Sequence, residues 1–278
     1  MNSLDIFNEL SEHVVIRINT LGDQIHQQNW HESKRHKDYD MWYILEGEIE
    51  IRVNDSVYTA NKGDLVLFGP SIAYHATSKR GSCHFIFTHF DFGLGNQNEI
   101  LENFQIFGVV KKNLVSEESL LFNESYSHYK KNKPMSSIRL KGSLTILIAK
   151  VIELYGNEQF KGTFKQDINL SKLNSNLHEL QPVLDYVITH LNEPLRNEKL
   201  SKIVGMSEKY FIYYFKQTIG VTPGRYIYQL KMNRARELVY SNQYSIEQIA
   251  EQLGYPDIYS FSKAFKKYYL VSPSQLNS

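Results

Sequence analysis

Cysteine is nearly absent: Cys83 is the single one in 278 residues. No intramolecular disulfide can form, and a thiolate metal cluster is excluded with it. The opening stretch, Met1-Asn2-Ser3-Leu4-Asp5, has neither the basic start nor the apolar run of a signal peptide. No stretch approaches the roughly 18 uninterrupted apolar residues of a membrane span. Together these absences predict a reducing, cytoplasmic compartment and no membrane partner. Charge of one sign is lacking as well, since the net charge is only +1, and that balance alone says nothing about nucleic acid. No Ser/His/Asp set, phosphate-binding loop or pair of carboxylates stands above chance. No enzyme, no catalytic residue and no cofactor is therefore expected.

The composition, 42% hydrophobic and 22% charged, is that of an ordinary globular protein. The length allows about two domains, each with its own core. Nineteen Tyr and 15 Phe favour aromatic-lined pockets or stacked cores over disorder. Dividing the chain at Glu179 shows 12 Lys+Arg against 9 Asp+Glu from there to the end, and 19 against 21 before it. The C-terminal part is thus mildly basic at +3 and the remainder −2. A nucleic-acid reading must then rest on where the charges point.

Ile49, Ile51 and Val53 alternate with Glu50 and Arg52, the period of a half-buried strand. After the turn signal Asn54-Asp55, Val57-Tyr58-Thr59 returns as its partner. Lys62-Gly63-Asp64 turns into Leu65-Val66-Leu67-Phe68, and residues 83–92 form a further aromatic-rich strand. Many short strands parted by turns predict a barrel or sandwich. Residues 117–130 and 136–155 read as helices. The second carries Leu144, Leu147, Ile148, Val151 and Leu154 on one stripe, wide enough to meet the β-domain or a second subunit. The polar, aperiodic run from Gly162 to Asn176 is read as a linker, and from Leu180 onward the chain is helical. The expected class is α+β and multidomain. A sensing and dimerising β-barrel with flanking helices covers residues 1–160, a linker 161–178, and an all-α domain 179–278.

That last domain contains an approximate repeat at a shift of about fifty residues. Residues 207–216 lie over 257–266, Val221-Thr222-Pro223 over Val271-Ser272-Pro273, and 200–205 over 249–254 with one extra residue in the second turn. Each half has the parts of a helix-turn-helix. Asn197 and Ser245 are expected N-caps of the first helices, and Ser207 and Asp257 of the second. Gly205 and Gly254 fit the left-handed position that ends a helix. On the second helices Phe211 with Phe215, and Phe261 with Phe265, are i, i+4 pairs facing a core. The opposite stripes are Lys209, Ile212, Tyr213 and Lys216 in one half, and Tyr259, Ser262, Lys263 and Lys266 in the other. Thr222-Pro223 starts a joining helix that reaches about Tyr240, with Tyr228, Met232, Ala235 and Val239 on one face.

Residues 201–273 resemble the DNA-binding domain of the AraC/XylS family of bacterial transcription regulators. The resemblance is carried by residues 200–207, Phe215-Lys216, Gly220-Val221-Thr222-Pro223, Ala235, Ser245-Ile246, Ile249-Ala250, Leu253-Gly254-Tyr255, residues 261–266 and Ser272-Pro273. It implies two helix-turn-helix units joined by a long helix and reading promoter DNA. Lys209, Ile212 and Tyr213 would contact one groove segment, and Ile258, Tyr259, Ser262 and Lys263 the next. Lys216 and Lys266 would meet phosphate. Leu270 departs from the glycine of the family and of Gly220, and Ile212 and Ile258 stand where polar readers are common. The resemblance also implies a homodimer, contact with RNA polymerase, and activation as the usual outcome.

The N-terminal half resembles the cupin-like sensor domains attached to this family, on residues 35–47, Gly63-Asp64 and residues 70–75. Against the metal-binding pattern of cupins, His36, Asp40 and His75 hold ligand positions, while Lys34 stands where another histidine belongs. Three readings stay open. The first is a metal site of His36, Asp40 and His75, with His31 as a further ligand, which the Lys34 ammonium would oppose. The second is a set of satisfied polar residues at a barrel mouth. The third, carried forward with no metal, is an organic pocket walled by Trp30, His36, Tyr39, Trp42, Tyr74 and His75. Aromatic faces beside polar groups suit a sugar, so a carbohydrate effector is expected. A partner protein in place of a small molecule is the remaining alternative.

Overall fold

The computed structural model describes residues 5–70, 72–94, 100–164 and 170–276. In chain order its helices are α1 (Asp5–Glu9), α2 (Ser116–Lys130), α3 (Ser136–Gly156), α4 (Leu170–Thr189), α5 (Asn197–Ile203), α6 (Glu208–Ile219), α7 (Pro223–Ser241), α8 (Ile246–Gln252), α9 (Ile258–Tyr269) and α10 (Pro273–Leu276). Its strands are β1 (Val14–His26), β2 (His31–Arg35), β3 (Tyr39–Glu46), β4 (Glu48–Val53), β5 (Ser56–Asn61), β6 (Leu65–Phe68), β7 (Ala73–Thr77), β8 (Cys83–Leu94) and β9 (Gly108–Val110). Internal contacts define two compact units: Val14–Gly93 with Asn98–Ser175, and Met1–His13 and Leu94–Gln97 with Asn176–Ser278.

The β unit contains two sheets, ordered β1-β8-β3-β6-β9 and β2-β7-β4-β5. In β4, Ile49, Ile51 and Val53 are buried and Arg52 is exposed, the alternation written in the sequence. β5 returns antiparallel with Val53 opposite Ser56, across a turn in which Asn54 takes φ +51°. Every residue of β3 from Tyr39 to Ile44 is buried, so this strand is covered on both faces. Strand alternation then puts Asp40 and Trp42 on one face and Tyr39, Met41 and Tyr43 on the other.

Helices α2 and α3 form a hairpin, with α3 also against β1. The stripe Leu144, Leu147, Ile148, Val151 and Leu154 is at most 3% exposed. It is consumed inside the unit, which removes this face from any contact with a second subunit. Leu120, Ile138 and Ile146 remain exposed on the same hairpin. Part of the expected linker is also fixed here. The Gly162 amide donates to the Gln105 carbonyl, the Phe164 amide to Phe107, and the Tyr58 hydroxyl to Thr163. Residues 165–169 of that linker lie outside the described residues, and α4 occupies its end.

In the helical unit, α7 separates two helix pairs, α5–α6 and α8–α9. One core contains Met232, Ala235, Leu238 and Val239 of α7 with Ile249, Ala250, Leu253, Phe261 and Phe265. The short α1 belongs to this unit, with Ile6 and Leu10 buried and the Glu9 carbonyl accepting from Asn233 Nδ2 at 3.2 Å.

Asp23 on β1 is the charged tie between strand and hairpin. It accepts from Lys130 Nζ at 2.7 Å and from the Tyr126 hydroxyl, both on α2, and meets His84 Nε2 of β8 at 3.0 Å. Burial alone would raise the carboxyl, but these partners outweigh it and hold the group far below the usual carboxylate range. A depressed carboxyl contributes stability that is full above its unfolded value of about 4 and lost as pH falls. Asp23→Asn should cost roughly 1–3 kcal/mol at neutral pH. In urea unfolding, its deficit should shrink as pH drops below about 4; a deficit unaltered by pH would mean the carboxylate's charge contributes nothing.

Candidate nucleic-acid interface and effector site

The turn glycines Gly205 and Gly254 both take φ +65°, the left-handed conformation expected of them. At Gly254 a Cβ would lie 2.6 Å from the Asn192 carbonyl oxygen, whereas at Gly205 it would meet open space. The second turn is therefore the more closely held. Ser207 accepts from the Tyr210 amide and Asp257 from the Ser260 amide, capping α6 and α9. Ser245 and Gln248 form a reciprocal capping box on α8. Asn197 does not cap α5, contrary to expectation. The helix already includes it, and Arg196 occupies the N-cap with no side-chain bond, so side-chain type misplaced this start by one residue.

Phe211, Phe215, Phe261 and Phe265 are at most 1% exposed, and the rings of each pair lie 5.7 Å apart. These apolar backs leave the other side of α6 and α9 to solvent. Lys209, Tyr213 and Lys216 are exposed on α6, and Tyr259, Lys263 and Lys266 on α9. Ile212, Ile258 and Ser262 are half-buried between them. Among the described residues none of the four lysines has an ion-pair partner. Two matching cationic and aromatic stripes thus stand on two capped helices, the arrangement that groove-entering helices require.

In the β unit the structure divides the expected pocket residues. Trp42 is buried, stacks on Phe85 at 4.6 Å and meets Tyr74 edge-on at 5.3 Å. Trp30 stacks on His26 at 4.0 Å and reaches the same Phe85, while His36 adjoins Tyr74, with ring centroids 6.2 Å apart. Tyr39 is not part of this group. It lies on the other face of β3, against Phe90 and Phe107. His75 is also apart: it neighbours Tyr74 on β7, so it faces the opposite side, where its Nδ1 meets Ser33 Oγ at 2.8 Å.

His89 and Glu32, absent from the sequence reading, adjoin His36 and Asp40 here. Asp40 pairs with His89 across β3 and β8. His89 Nε2 lies 3.9 Å from Asp40 Oδ1, and His36 Nε2 lies 3.8 Å from Asp40 Oδ2. Asp40 is 1% exposed, and burial pushes its carboxyl up to about 8 despite the Trp42 indole bond at 3.0 Å. Burial, with His89 next in importance, lowers His36. Glu32 accepts the Tyr74 hydroxyl at 3.1 Å and pairs with Lys34 at 2.8 Å. The legible signal was His89 itself, a polar residue inside the aromatic run of β8.

A family model described as a helix-turn-helix domain matches residues 200–278, and one described as a cupin domain matches residues 24–89. The chain is 40% identical over 78 residues to an uncharacterized HTH-type transcriptional regulator of Haemophilus influenzae, covering 28% of this chain and 26% of that protein. It is 22% identical over 285 residues to the Msm operon regulatory protein of Streptococcus mutans, covering 99% of this chain and 97% of that protein. It is 28% identical over 97 residues to the lactose operon transcription activator of Staphylococcus xylosus, covering 35% of each. The chain thus spans about a quarter of the first of these relatives and nearly the whole of the second. The chain carries a cupin domain followed by a helix-turn-helix domain. The proteins that the chain resembles over these domains are transcription regulators.

Leu270, at the C-cap of α9, holds φ +64° where Gly220 holds φ +83° at the end of α6. The leucine is 83% exposed, so it gains little from packing while its Cβ strains a left-handed backbone. Leu270→Gly should stabilise the helical unit by about 1 kcal/mol, seen as a higher melting transition in circular dichroism. A lower transition would show that the leucine makes compensating contacts.

Proposed function

We propose that this protein is a ligand-responsive activator of genes for carbohydrate uptake or metabolism. The DNA-binding part runs from about residue 179 and the sensing part precedes residue 161. The observation that carries the DNA part is the pair of exposed stripes on α6 and α9. Tyr213 and Lys209 on one, and Tyr259, Ser262 and Lys263 on the other, would reach base edges in successive major-groove segments. Ile212 and Ile258 would meet thymine methyls. The 19 residues of α7 extend about 28 Å, a spacing that suits segments one helical turn, about 34 Å, apart once the width of the units is added. Lys216 and Lys266 would bind phosphate. Action on promoter DNA with RNA polymerase would take place in the bacterial cytoplasm.

The carbohydrate reading draws on two supports. One is the similarity to a lactose operon activator. The other is the half-buried Trp30, backed by the buried rings of Trp42 and Tyr74 and beside Glu32 and His36, which offers a ring face for sugar C–H groups and polar partners for hydroxyls. Ligand in the β unit would alter how a homodimer engages its promoter. Exposed Leu120, Ile138 and Ile146 on the α2–α3 hairpin are the apolar surface available for that dimer.

DNA selected from a random pool gives the site against which variants are measured. Tyr213→Ala and Lys263→Ala should each weaken the selected site by roughly 1–3 kcal/mol and relax its sequence preference. Lys216→Ala and Lys266→Ala should weaken all sequences alike and flatten the salt dependence. Unchanged affinity and preference in the first pair would move the reading face elsewhere. For the effector, a panel of mono- and disaccharides should include one that raises the melting temperature and loses that effect in Trp42→Ala. If no sugar stabilises the protein, the carbohydrate assignment fails and a partner-protein signal takes its place.

A further inference from the structure

Within the β unit three potential ligating groups face one another: one ring nitrogen of His36, one oxygen of Asp40 and one ring nitrogen of His89 all lie within 4.8 Å of each other. Asp40 is 1% exposed, and its Oδ1 accepts no hydrogen bond. A buried carboxyl oxygen without a hydrogen-bond partner is costly. The His89 imidazole lies 3.9 Å from Oδ1 and the His36 imidazole 3.8 Å from Oδ2, both beyond hydrogen-bonding distance. We propose that His36, Asp40 and His89 form a binding site for one divalent first-row transition-metal ion.

The surroundings fit that assignment. Asp38 Oδ1 lies 3.2 Å from His89 Nδ1. This places the ring proton on Nδ1 and leaves Nε2 as a lone pair, the carboxylate–histidine support common behind metal ligands. The Trp42 indole fixes Asp40 Oδ2 at 3.0 Å. Two imidazoles and one carboxylate suit Zn²⁺, Fe²⁺ or Mn²⁺. Bound ligand atoms would sit about 3–3.5 Å apart, given bonds of about 2.1 Å, so the three groups need to close by less than about 1.5 Å. Three protein ligands leave the rest of the coordination sphere to water.

Lys34 opposes a cation only weakly, because its ammonium is paired with Glu32 at 2.8 Å. The cupin pattern would instead have used His75, which the structure places on the other side of β7 against Ser33. His89 enters from a different strand, so the proposed set differs from the one that the motif alone supplies. It shares His36 with the proposed effector pocket, but the metal titration is read without any organic effector present.

Full-length protein, stripped with a chelator and returned to chelator-free buffer, can be titrated with Co²⁺ by visible absorption and with Zn²⁺ by calorimetry. One saturable equivalent per chain is expected, with Co²⁺ bands of a nitrogen and oxygen ligand set. Asp40→Asn and His89→Ala should each weaken binding at least tenfold with an unchanged circular dichroism spectrum. His75→Ala should leave it intact. Should His89→Ala not fold, the partly exposed His36→Gln is held to the same tenfold criterion. Absence of saturable binding, binding indifferent to these substitutions, or binding lost in His75→Ala would each overturn the site.

Discussion

One buried ammonium ties the DNA-binding half together. Lys231 lies in the middle of α7 and is 9% exposed. Its Nζ donates to the Leu253 carbonyl at 2.7 Å and the Glu193 carbonyl at 3.4 Å, with the Tyr255 ring 5.5 Å away. Leu253 ends α8, and Glu193 lies in the segment leading to α5. A single side chain therefore satisfies one carbonyl from before the first helix pair and one from within the second. Burial lowers its affinity for the proton, which is the cost of placing a cation where both carbonyls can use it.

Around that lysine the first half of α7 is held by aromatic residues. Tyr226 packs on Phe215 of α6 at 5.6 Å. Farther along, the Tyr228 hydroxyl donates to the Ala264 carbonyl of α9 at 2.7 Å, and the Tyr269 hydroxyl returns to the Met232 carbonyl at 3.0 Å. Apolar burial supplies most of the stabilisation, and these directional bonds fix the angle at which each outer helix stands. The exposed stripes of α6 and α9 are thus positioned by contacts on their hidden sides.

Much of this unit is legible in the sequence because its signals are local. A cap, a turn glycine and an i, i+4 aromatic pair each act within a few residues, and the repeat writes them twice. Asn197 shows the limit: it is the right residue type one position too late, and Arg196 takes the N-cap by backbone conformation alone. Lys231 is illegible for another reason, since a lysine reads as exposed until the carbonyls that surround it are known. The β unit is legible as hairpins, with the alternation of β4 as the clearest case. Its site is not, because the two-residue period separates Tyr39 from Trp42 and His75 from Tyr74 only once strand faces are assigned. His89 is 49 positions beyond Asp40, and only the β3–β8 register brings them opposite each other.

The continuous α7 also bears on how a single chain holds a long DNA site. With both outer helices proposed to enter the duplex, seating one would present the other at a fixed separation, and its contact would become effectively intramolecular. Neither helix then needs to bind tightly alone, and a mismatch under one is partly covered by the residence of the other. Tolerance for imperfect sequence is accompanied by intolerance for altered spacing. A helix uninterrupted from Pro223 to Ser241 cannot stretch or rotate to follow a half-turn insertion in the duplex.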